Sequence, residues 1–202
     1  NRSTNHLDVL RTRRLTASPE DGVRFVFYPE DANIINFDVI RSIDRPVLNS
    51  ELLEKMSDVN VRTELDWQLY QLQRRYLNYQ VNIGNRIIKM LTSGTTEEQM
   101  RAGELSKPKT LFLDMIDELF AETNKKIDRK NNEIQFIQTM GTGTETITPY
   151  QLSSGEKQML AILLTVLVEN REPYALLMDE PEISLHIDWQ QRLIDLIRQL
   201  NP

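Results

Sequence analysis

The sequence predicts an α/β fold in which a sheet core is interrupted by a block of helices. Three observations lead there. Short β-rich runs near the start give way to apolar stripes of helical period. Small residues at Ser153, Ser154 and Gly155 then open an almost wholly apolar helix. After that helix, Tyr174-Ala175-Leu176-Leu177-Met178 is a continuous apolar run, as expected of an inner strand of a parallel sheet covered on both faces.

Three blocks follow from the pattern. Residues 1–46 form the first part of the β core. Val23 to Tyr28 follows an Asp21-Gly22 turn and is dense in β-branched and aromatic residues, Ile34 to Ile40 partly alternates, and Asp44-Arg45-Pro46 breaks the pattern. Residues 47–130 read as an inserted helical subdomain. Ser50 before Glu51-Leu52-Leu53-Glu54 resembles an N-cap with an acidic first turn. Leu65, Leu69, Leu72, Tyr76, Tyr79, Ile83, Ile87 and Met90 then make one apolar stripe, the mark of a packed helix or of a self-associating coiled coil. Thr92 to Thr96 ends it. Lys107-Pro108 opens another helix, with Phe112, Met115, Ile116, Leu119, Phe120 and Thr123 on its buried face; Lys125, Lys126, Arg129 and Lys130 close it, where cations suit a helix C-terminus. In residues 131–202, Glu133 to Ile137 and Glu145 to Thr148 read as two strands joined through Gly141-Thr142-Gly143. A helix, the buried strand and a last helix follow.

Composition narrows the chemistry. The chain has 202 residues, enough for one domain with a real core or a domain with a modest insertion. Its 24 Lys+Arg against 30 Asp+Glu give a net charge of −6, which disfavours wholesale wrapping of nucleic acid without forbidding a local basic patch. With no cysteine, disulfides, thiolate metal sites and Cys nucleophiles are excluded. His6 and His186 are too few for a His-rich metal centre. Met159 to Val168, the longest nearly apolar run, is about half a membrane span. Without that span or a signal peptide, the expectation is a cytoplasmic protein with no membrane partner.

Two features carry chemistry. Leu152-Ser153-Ser154-Gly155-Glu156-Lys157-Gln158 lets a backbone come close to a ligand, and the helix it opens points free N–H groups outward. Such a start is either an anion site suited to phosphate or simply a cap. The apolar run ends in Asp179-Glu180-Pro181, two carboxylates at the edge where α/β sheets place ligands. A metal cation is the usual compensation for carboxylates so placed.

At these residues the sequence resembles the ATP-binding-cassette (ABC) type ATPases, P-loop NTPases related to the AAA-type ATPases. Leu152 to Gln158 looks like their signature motif and Tyr174 to Glu180 like their Walker B strand. Glu156-Lys157 resembles the branch of chromosome-maintenance (SMC) and break-repair ATPases. Asp179-Glu180-Pro181-Glu182-Ile183-Ser184-Leu185-His186 is closer still to the overcoming-lysogenization-defect (OLD) nucleases and their relatives in anti-phage defence. The resemblance is specific over Leu152 to His186 and only architectural before that. It implies an ABC-like sheet core with a helical insertion, and ATP and Mg2+ as ligands. Ser153, Ser154, Gly155 and Glu156 would bind nucleotide, Asp179 would hold the metal, and Glu180 would activate water. Ser184, Leu185 and His186 would lie in the D-loop at a dimer seam, where His186 is either structural or catalytic. Two copies would close head to tail over two ATP molecules, with an effector nuclease as a partner or fused domain.

The family also needs a P-loop, Gly-x-x-x-x-Gly-Lys-Ser/Thr. None of the seven glycines precedes a lysine at that spacing, so the expectation is a fold incomplete at both ends, with a degenerate ATPase as the other account. A catalytically inactive scaffold that assembles a partner effector is the alternative function. DNA contact through Arg11, Arg13 and Arg14 or through the Lys125 to Lys130 cluster is a third.

Overall fold

The computed structural model describes residues 36–41, 61–172 and 174–202. The expected strand at Val23 to Tyr28, the helix start at Ser50 and the arginines Arg11, Arg13 and Arg14 lie outside the described residues. In chain order the elements are strand β1 (Asn36–Arg41), helices α1 (Glu64–Ser93), α2 (Thr96–Arg101) and α3 (Lys107–Leu119), strands β2 (Lys125–Ile127), β3 (Phe136–Met140) and β4 (Gly143–Ile147), helix α4 (Ser154–Val168), strand β5 (Tyr174–Asp179) and helix α5 (Ile187–Leu200).

β1 and β5 pair in parallel, from Asn36 beside Tyr174 to Arg41 beside Asp179. Parallel neighbours require a crossover, and here it carries helices and a separate antiparallel sheet in the order β2-β3-β4. Side chains alternate along a strand. Tyr174, Leu176 and Met178 pack against the core, whereas Leu177 on the other face is 37% exposed. Among the described residues, the side chains of the strand that pack on the core lie on one face.

α4 is the centre of the molecule. Met159, Leu160, Ala161, Ile162, Leu163 and Leu164 are all fully buried, as a helix apolar on every side must be. α1, α3 and α5 surround it, and β1 touches it. Each large side chain so buried contributes about 1.5–3 kcal/mol. α1 presents the expected stripe to this core: Leu65, Leu69, Leu72, Tyr76, Tyr79 and Ile83 are buried. The thirty-residue helix is about 45 Å long, and its far end leaves the core, exposing Ile88 and Leu91. Its start is fixed by a reciprocal cap in which the Thr63 hydroxyl accepts from the Asp66 N–H at 3.1 Å and the Asp66 carboxylate accepts from the Thr63 N–H at 3.1 Å.

The basic cluster after α3 does not close that helix. α3 ends at Leu119, Thr123 is exposed in a short 3-10 turn, and Asn124 turns the chain with φ 56. Asn tolerates the left-handed region, so Lys125 enters strand β2 instead. The following hairpin turns at Gly141, φ 57, where a side chain would be strained.

Candidate functional site

β1 and β5 end side by side at Arg41 and Asp179, and this carboxyl edge is where open α/β sheets bind ligands. The chain leaves β5 through Glu180, which has φ 45 and an exposed side chain. A non-glycine residue in this region stores about 1–3 kcal/mol of strain, which surrounding structure must hold. Here the hold is a compact turn. The Ile183 N–H donates to the Glu180 carbonyl and the Leu185 N–H to the Glu182 carbonyl, both at 3.1 Å. The Gln190 amide reaches back from α5 to donate to the carbonyls of Glu182 and Leu185, each at 3.0 Å. Leu185 is buried. His186 begins α5 without a side-chain cap; its Nδ1 lies 3.4 Å from the Asp188 carboxylate, and both side chains are exposed.

The start of α4 sits against this turn. A Cβ added at Gly155 would collide with the Ser184 carbonyl oxygen and come within 4.0 Å of the Trp189 ring. Glycine at 155 is thus required by packing inside the chain, in addition to any approach to a ligand. Ser153 and Ser154 are exposed beside it. Ser153 is the N-cap, and its backbone N–H and hydroxyl each donate to the Glu156 carboxylate at 2.9 Å.

Glu156, expected at the nucleotide, is turned into the protein. It is 1% exposed and accepts from Lys125 Nζ at 2.8 and 3.0 Å and from the Thr123 hydroxyl at 2.6 Å. Burial works against its charge, but the bonds from Lys125, Thr123 and Ser153 outweigh that and hold the carboxyl below the ordinary carboxylate range. Its neighbour Lys157 is buried too and pairs with Asp66 at 2.7 Å. The first turn of α4 is therefore fixed on one side to β2 and on another to the cap of α1. These partners were missed in the sequence. The readable signals were the capping-box spacings Thr63-x-x-Asp66 and Ser153-x-x-Glu156.

The same geometry removes half of the basic patch. Lys125 is buried under Glu156, and the Arg129 guanidinium lies 2.7 Å from Asp114 and 2.6 Å from Asp117. Lys126 and Lys130 remain exposed.

Among the described residues, no three His, Cys, Asp or Glu side chains converge as a metal site. Mg2+ asks for less: one or two carboxylates besides water and substrate phosphates. Asp179 and Glu180 are carboxylates by residue type, the kind of ligand that demand names.

The described residues thus join a parallel strand pair that ends in two acids to a helix opened by small hydroxylated residues, the outline of an α/β domain. A family model described as "AAA domain, putative AbiEii toxin, Type IV TA system" matches residues 2–202, and the chain belongs to that family. It is thus a AAA-type domain of the P-loop ATPase class, a nucleotide-binding fold. No curated protein and no solved structure matches the chain. No helix among the described residues is long and apolar enough to cross a membrane.

Proposed function

We propose that this chain is the ATP-binding and ATP-hydrolysing part of an OLD-like or SMC-like ABC ATPase, working as a head-to-tail dimer. Ser153, Ser154 and Gly155 of one copy face the terminal phosphate of ATP held mainly by its mate, and the outward N–H groups of α4 favour that negative charge. Asp179 holds Mg2+, which when bound neutralises charge on the phosphates. Glu180 orients the attacking water and accepts its proton, the alignment phosphoryl transfer depends on. Glu156 positions the loop from within and leaves the nucleotide to the two serines. Ser184, Leu185 and His186 lie at the seam.

The observation that carries this reading is the contact of Gly155 with the Ser184 carbonyl. It packs the phosphate-facing loop closely against the turn that follows the acidic strand tip. Exposed Ile183 and Ile187, 61% and 55% accessible, flank His186 and supply apolar surface for a second copy to cover. The family description names a toxin–antitoxin system, which favours defence over DNA repair as the setting, with an effector nuclease as partner. DNA contact is not assigned to the Lys125 to Lys130 cluster, because its buried or paired members are already neutralised.

The test is Glu180→Gln in the full-length protein. Loss of a general base lowers turnover by about a hundred- to ten-thousand-fold, while binding of Mg-ATP persists. Turnover within a few-fold of the parent would remove Glu180 from the chemistry. If the parent binds Mg-ATP without turning it over, the inactive-scaffold reading replaces this one.

A further inference from the structure

α4 is held tightly on two sides of its first turn and left unmatched on a third. Gln158 is fully buried, and among the described residues neither its amide oxygen nor its amide nitrogen has a hydrogen-bond partner. It is flanked by Lys157, which is ion-paired, and by the apolar run from Met159. Nothing in the packing asks for an amide there; methionine would fill the same space. Buried polar groups are nearly always paired, and an unpaired one calls for an explanation in function or strain.

The direction of Gln158 can be read from its helix. Glu169 lies eleven residues on, three turns later and on the same face. Glu169 is hydrogen-bonded to Arg75 of α1, and Arg75 binds Asp38 of β1 at 3.1 and 3.3 Å. This face of α4 therefore looks toward the contact of α1 with β1. Thr165 lies on the same line, buried and also without a partner for its hydroxyl. At its other end, β1 stops at Arg41 beside Asp179, the acidic edge of the sheet. Gln158 thus sits in the first turns of the phosphate-facing helix, on the face turned to the strand that shares this edge.

We propose that Gln158 is a positioning residue for ATP hydrolysis. Its amide acquires hydrogen bonds only when α4 settles against β1 as two copies close over bound nucleotide. This deepens the ATPase reading and rests on it. In the resting protein the unpaired amide is a cost to stability, and in the closed state it becomes a bond that holds α4 against β1. The signature is a change of opposite sign in stability and in activity, which a purely structural residue does not give.

The experiment compares Gln158→Met and Gln158→Leu with the parent as full-length proteins, measuring thermal midpoint, KM for Mg-ATP and kcat. Gln158→Met is expected to melt about 2–4 °C higher and to lose at least tenfold in kcat, with KM within about threefold. Gln158→Leu checks the same signs should the methionine variant pack poorly. A lower midpoint in both variants would mean that the amide is already satisfied in the resting state, and parental kcat in a folded variant would remove its role; either result overturns the proposal. A parent that does not turn over Mg-ATP would instead sink the ATPase reading itself, which keeps the two failures apart.

Discussion

Lys125→Met is the sharpest perturbation of the buried clamp under α4. The substitution keeps most of the apolar stem and removes the charge. It leaves the Glu156 carboxylate 1% exposed, with the Thr123 and Ser153 bonds but without the cation that donates at 2.8 and 3.0 Å. Removing one partner of a buried ion pair costs about 3–5 kcal/mol. The remaining donors offset part of this, so the expected loss is about 3 kcal/mol, a little over a hundredfold in the folding equilibrium. Adding Glu156→Gln removes the stranded charge and should recover most of that loss. The pH dependence reverses as well. In the parent, Glu156 titrates below its usual value of 4.5, so its stabilising contribution is present above that pH and is lost as pH falls through the lower folded value. In Lys125→Met, burial without a cation pushes the carboxyl up instead. That variant should gain stability as pH falls from 7 toward 5, where the parent barely changes. Urea unfolding followed by the fluorescence of the two tryptophans, Trp67 and Trp189, reads both effects. A loss under 1 kcal/mol in the single variant, or no recovery in the double, would refute the clamp.

Two glycine substitutions separate the site from the scaffold. Gly155→Ala forces a methyl group into the Ser184 carbonyl; overpacking of this kind costs about 1–3 kcal/mol, and ATP turnover should fall at least tenfold because the loop and the turn must separate. Parental stability and turnover would show that the contact is not needed. Gly84→Ala lies mid-helix in α1 with no atom within 4 Å of the new Cβ. It should stabilise the protein by about 0.5–1 kcal/mol in the same urea assay and leave turnover unchanged; destabilisation would mean that the helix is not straight and regular there.

Local pattern made much of this architecture legible. The α1 stripe from Leu65 to Ile83 and the nearly unbroken apolar run of α4 specify helices whatever their neighbours do. The acid pair of Asp179 and Glu180 was legible at a strand end from residue type and spacing, and the strand does end there. Tertiary partners were not legible. Lys125 reads as one more cation in a surface cluster, and only the fold brings Glu156, 31 residues away in sequence, over its ammonium group. Glu156 reads as part of a ligand loop because its neighbours Ser153 to Gly155 are small. Its inward rotation follows from the reciprocal cap with Ser153, which fixes the side chain back over the helix start. Leu177 looks buried in sequence, yet it is 37% exposed, because alternation turns it away from the face on which Leu176 and Met178 meet the core.

The most direct measurement is the mass in solution of full-length Glu180→Gln, by sedimentation, with and without Mg-ATP. A dimer that forms only when Mg2+ and ATP are both present, and fails to form in Ser153→Arg, is the expected result. Saturating bound nucleotide with no change in mass would contradict the head-to-tail arrangement, and no bound nucleotide at all would contradict the assignment of the site.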